Sequence, residues 1–149
     1  SPPQFDKTKI SYRKQNDLSS VIMFLYRERR ILLCGDIEFE GLHWLLKNKK
    51  EDLTADILQI PHPGLALRLP QGKKRYKEVD IRALKEEFIS IIRPRYVLVN
   101  AGRNDIDAEM VGICENQRVT ILSNSDYGAI SIKITPSQEV NPVIKTFLE

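Results

Sequence analysis

Apolar and polar positions along this chain recur with two periods, and the switches between them mark strands and helices in turn. From Leu18 to Tyr26 the chain reads Leu-Ser-Ser-Val-Ile-Met-Phe-Leu-Tyr, turns at Arg27 to Arg30, and resumes as Ile31-Leu-Leu-Cys34. Two β-branched or aromatic runs around a short polar break predict a hairpin. Val21 to Leu25 is apolar at both alternate positions, the pattern of a sheet buried on both faces. Gly35-Asp36 closes the second strand. Helical spacing then runs from Glu38 through Leu42, Leu45 and Leu46 to Lys47, Lys49 and Lys50, cations that suit the negative end of a helix.

The alternation continues. Asp56-Ile-Leu-Gln-Ile60 predicts a strand that Pro61-His62-Pro63-Gly64 stops, because proline has no N–H to extend a ladder. Residues 65–80 hold no sustained apolar period and read as an exposed basic loop. Ile81, Leu84, Phe88, Ile91 and Ile92 space a helix that Pro94 ends. A strand at Tyr96–Val99, a helix near Asp107–Glu115, a strand at Val119–Leu122, a turn at Ser123–Asp126 and a strand at Ala129–Ile134 follow. Residues 135–149 form a C-terminal tail or edge element. Strands alternating with helices, headed by a hairpin, imply an α/β fold whose mixed sheet carries flanking helices.

Composition narrows this to one domain spanning 1–149. The chain has 149 residues, 42% hydrophobic and 29% charged, which suits a soluble globular domain with its own core. No run approaches the roughly 18–20 apolar residues of a membrane span. The Ser1-Pro2-Pro3-Gln4 start lacks the basic and apolar regions of a signal peptide and reads as a cut or processed end. Two cysteines, Cys34 and Cys114, are too few for a disulfide framework or a cysteine-rich zinc site, and Cys34 in its apolar run reads as a buried small hydrophobe. A net charge of +3 does not by itself argue for nucleic acid, so local clusters carry that case.

Two residues occupy positions suited to chemistry. Asp36 follows a strand-ending glycine and His62 lies just past a strand end, and reactive groups in α/β sheets gather beyond the carboxyl ends of strands. A carboxylate and an imidazole are ligands for zinc or manganese, although zinc takes three or four protein ligands. Each residue also has a plain structural reading. Asp36 could cap the following helix, and His62 could be an ordinary loop residue. His43, beside Trp44 within a helix, reads as packing or surface.

The order and spacing of three segments resemble a known pattern: Asn16-Asp17-Leu18-Ser19-Ser20-Val21, Ile31 through Gly35-Asp36-Ile37-Glu38, and Ala55 through Pro61-His62-Pro63-Gly64. Together with Arg93-Pro-Arg-Tyr-Val-Leu-Val-Asn-Ala-Gly102 and Asp126-Tyr-Gly-Ala-Ile130, they resemble the metallo-β-lactamase-like domain of ComEC-type DNA-internalisation competence proteins. The resemblance implies the second half of an αββα sandwich. Asp36 would match a metal-bridging aspartate and His62 a metal-binding histidine, with zinc or manganese as cofactor. The family's early His-x-His-x-Asp-His cluster has no counterpart here, because His43 and His62 are the only histidines. The chain is then either a fragment lacking the amino-terminal half or a relative whose site has decayed.

The implied activity is metal-dependent phosphodiester or DNA hydrolysis linked to DNA uptake, incomplete in this chain alone. Lys73, Lys74, Arg75 and Lys77, with Arg103 and Asn104, would contact a DNA backbone. A solvated loop is the plain reading of the same cluster. The alternative function is a non-catalytic interaction or dimerisation domain. Half a sandwich exposes one sheet face, which a second copy or the missing half would cover. ComEC-type parents are embedded in the bacterial cell membrane, a location implied by the resemblance alone.

Overall fold

In the computed structural model of the chain, residues 16, 19–61, 64–69, 79–100, 106–134 and 143–146 are described. The predicted hairpin is present as β1 (Ile22–Tyr26) and β2 (Arg29–Leu33), paired antiparallel with Phe24 opposite Ile31. Its turn is tighter than expected. Only Arg27-Glu28 connect the strands, and Arg27 adopts φ 54°. Arg29 and Arg30 belong to β2 because each has a partner: the Asp56 carboxylate accepts from the Arg30 N–H at 2.9 Å and from Arg29 Nη1 at 3.3 Å.

Three parallel strands extend the sheet: β3 (Ile57–Gln59), β4 (Tyr96–Val99) and β5 (Thr120–Ser123), in the spatial order β1-β2-β3-β4-β5. The crossovers carry α1 (Phe39–Lys49), α2 (Ile81–Ile92) and α3 (Ala108–Asn116). The chain is therefore an α/β fold with a mixed five-stranded sheet and flanking helices. A four-residue helix, α4 (Asn124–Tyr127), occupies the predicted turn, and β6 (Ile130–Lys133) pairs with β7 (Val143–Thr146) in a separate two-stranded sheet. Among the described residues, no helix is long and apolar enough to cross a membrane.

Local chemistry explains the helix ends. Asp80 caps α2, its carboxylate accepting from the N–H groups of Arg82 and Ala83, and Arg93 closes the helix in a left-handed conformation just before Pro94. Asp107 caps α3 through the Glu109 N–H at 3.1 Å. The residue at the N-cap of α1 is Glu38, so Asp36 is left to the preceding turn rather than spent as a cap.

The three helices share one face of the sheet. Leu32, Leu58 and Val97 are register partners across β2, β3 and β4, and they pack in one core with Leu42 of α1, Phe88 and Ile89 of α2 and Ile113 of α3. Parallel crossovers take the right hand almost without exception, so successive crossovers between adjacent strands in one direction fall on the same side. Alternate residues point the other way: Ile31, Ile57 and Tyr96 form the neighbouring row, and Ile57 is buried yet lies outside that core. The doubly buried strand expected at Val21–Leu25 is an edge strand, with Ile22 45%, Phe24 51%, Leu25 65% and Tyr26 47% exposed.

Candidate functional site

Because β2 to β5 run parallel, the segments leaving their carboxyl ends emerge at one edge of the sheet. Asp36 follows β2, Pro61 follows β3, Asn100 follows β4 and Asn124 follows β5. This is the edge at which ligands of open α/β sheets bind. Asp36 is exposed there, in the two-residue turn between β2 and α1.

Three independent constraints hold that turn. Gly35 has φ +56°, a conformation that costs an L side chain roughly 1–2 kcal/mol. A β-carbon at Gly35 would lie 3.2 Å from the Ser20 carbonyl oxygen, tighter than ordinary contact. The third constraint is Gln59, whose Oε1 accepts from the Cys34 N–H and from the Gly35 N–H, each at 3.1 Å. The Cys34 N–H also reaches the Gln59 backbone carbonyl at 3.3 Å. The end of β2 is therefore fastened to β3 immediately before the exposed Asp36.

Further along the edge, Asn124 Nδ2 donates to Asn100 Oδ1 at 2.7 Å, joining the ends of β4 and β5. Ser123 is buried, with its hydroxyl 2.6 Å from that of Ser125. Behind this edge, Lys85 of α2 is 4% exposed and forms ion pairs with Asp107 and with Glu109, the latter at 2.8 Å. Burial works against the lysine's charge, but the hydrogen bonds and charges of the two carboxylates outweigh it and hold its pKa above the ordinary value. This triad welds α2 to the start of α3. At the opposite edge Asp56 ties the starts of β2 and β3 through Arg29 and Arg30, a structural role.

Of the site residues expected from sequence, Asp36 is the one within the described residues. His62, Lys73, Lys74, Arg75, Lys77, Arg103 and Asn104 all lie outside them, as do residues 70–78 of the expected basic loop. The start of that loop is anchored, since Leu65 is buried in the core. His43 stacks on Phe39 with ring centroids 5.9 Å apart, in keeping with a packing role. Both cysteines are buried, and burial pushes the Cys34 thiol up to about 12 and the Cys114 thiol up to about 11.

Among the described residues, no three His, Cys, Asp or Glu side chains are grouped so as to hold a metal ion. Asp36 is a single carboxylate, fewer than the three or four protein ligands that zinc takes. Gln59, Asn100 and Asn124 were missed from sequence. The signal was their place: the last residue of β3, the residue after β4 and the residue after β5. Comparison of the chain with family models, with curated proteins and with solved structures gives no match.

Proposed function

We propose that this chain is one half of a metallo-β-lactamase-type αββα hydrolase domain of the ComEC kind, with Asp36 and His62 contributing to a metal site whose remaining ligands come from the other half. The observation that carries this reading is the one-sided sheet. All three crossover helices cover one face, while the other also carries apolar side chains from every strand, with Phe24 exposed, Ile31 and Leu98 half-buried, and Ile57 and Leu122 buried. A single layer of helices on a sheet with a second apolar face is half of a four-layer architecture.

The reaction class is metal-assisted hydrolysis of a phosphodiester, with zinc or manganese as cofactor and DNA as the polymer substrate, in a protein linked to DNA uptake. What this chain contributes is positioning: Gly35 and Gln59 fix the turn that presents Asp36. Lys73, Lys74, Arg75 and Lys77, with Arg103 and Asn104, are the proposed backbone contacts. The parent protein is proposed to sit in a bacterial cell membrane, with this domain outside the bilayer. Metal analysis tests the hydrolase reading. Stoichiometric zinc or manganese, lost when Asp36→Ala and His62→Ala are combined, supports it; no bound divalent metal and no phosphodiester hydrolysis with manganese present sinks it for this chain.

A second reading, a non-catalytic interaction domain of the same fold, draws on a specific observation. Four of the six large hydrophobic residues that are exposed among those described lie on one strand, β1.

A further inference from the structure

We infer that β1 is a self-pairing edge, through which two copies of this chain join antiparallel into one continuous ten-stranded sheet. The occupant is a second β1, deepening the interaction reading; it does not depend on the hydrolase reading, so the two fail separately.

An edge strand offers a row of backbone N–H and C=O groups along its open side, and proteins that stay monomeric guard such edges with lysine, proline or a bulge. Strand β1 has none of these. It reads Ile-Met-Phe-Leu-Tyr, uncharged over all five residues, in unbroken register with β2. Its side chains are exposed on both faces: Ile22, Phe24 and Tyr26 on one, Leu25 on the face that the three crossover helices cover. Apolar surface beside free backbone groups is chemically matched by another apolar strand, since a helix or loop would leave those groups unpaired.

The sequence of β1 is self-complementary about Phe24. A two-fold axis through that residue, perpendicular to the sheet, sets Phe24 beside its twin, Ile22 beside Tyr26 and Met23 beside Leu25. Every cross-strand pair is then apolar, and the contact closes as a symmetric dimer. Each aromatic ring on β1 is about half exposed. With about 150–250 Å² available to bury per aromatic side chain, the four half-exposed rings of the paired strands would withdraw roughly 300–500 Å², well below the roughly 1,200 Å² of a stable interface. The dimer is therefore weak and concentration-dependent.

Sedimentation velocity from low micromolar to near-millimolar chain is expected to show a reversible monomer–dimer shift, with at least a tenfold weaker association for Phe24→Lys. Register is read by cross-linking. Opposed residues on antiparallel strands lie about 4.5–5.5 Å apart at Cα, within disulfide range. Phe24→Cys is thus expected to oxidise to a covalent dimer at least tenfold faster than Tyr127→Cys, whose exposed site lies on α4; Cys34 and Cys114 are buried and do not compete. Phe24 is half exposed, so both of its variants keep the fold, checked by circular dichroism. A chain monomeric throughout, or Phe24→Cys cross-linking no faster than Tyr127→Cys, overturns the inference.

Discussion

Gln59 on β3 reaches across to β2 and accepts, through its side-chain oxygen, a hydrogen bond of 3.1 Å from the N–H of Gly35. That contact fixes the turn from which Asp36 projects. Gln59→Leu leaves the Gly35 N–H without this partner and is expected to cost roughly 1–3 kcal/mol. Gly35→Ala forces a side chain into a left-handed conformation at about 1–2 kcal/mol, and the close Ser20 carbonyl adds to it. Urea unfolding measures both. A Gly35→Ala protein as stable as the parent would show that the turn is not constrained as described.

Lys85 gives a pH-dependent prediction. Its pKa in the folded chain lies above the ordinary 10.5, so its contribution to stability is complete below that value and is lost as pH rises through the folded value. Replacing Lys85 by Met removes hydrogen bonds to two carboxylates, each worth roughly 1.5–3 kcal/mol at most when a charge takes part. The stability difference between parent and Lys85→Met should hold constant from neutral pH to about 9 and shrink above 10.5. A difference that grows with alkalinity would reverse the assigned sign.

The two thiols should be inert in the native chain. Burial raises Cys34 to about 12 and Cys114 to about 11, which suppresses the reactive thiolate at pH 8 and blocks access as well. An aromatic disulfide reagent is expected to titrate neither thiol in buffer and both in denaturant. Rapid reaction of either in buffer would place it at the surface.

Much of this fold was legible in the sequence. The helix at Ile81–Ile92 and the strand at Tyr96–Val99 follow from apolar spacing with Pro94 between them, because burial on one face imposes a period that the residues must obey. The hairpin turn was drawn too wide because Arg29 and Arg30 look like turn residues, whereas Asp56, distant in sequence, makes them strand residues. The exposure of β1 was missed for a related reason. Apolar residues at both alternate positions give the same pattern for a central strand and for an unguarded edge, and sheet order alone separates them. At the candidate site, the strand-ending glycine marked Asp36, but the place of Gln59 at the end of β3 gave no hint of its partner: its bonds to Cys34 and Gly35 exist only once β2 and β3 are neighbours.

The basic stretch makes a separate prediction. For single-stranded DNA, log affinity falls with log salt by about 0.7 per neutralised phosphate. Changing Lys73, Lys74, Arg75 and Lys77 to Gln is expected to weaken binding and to reduce the salt slope by about 3. An unchanged slope would remove these residues from the proposed interface.

The proposed sharing of a metal ion by Asp36 and His62 is tested most directly by paramagnetic broadening of their NMR signals with manganese. At substoichiometric manganese, the Asp36 amide and the His62 ring resonances are expected to broaden together, and Asp36→Ala is expected to abolish the effect at both. Broadening of one without the other, or broadening at His62 that persists in Asp36→Ala, would contradict the account.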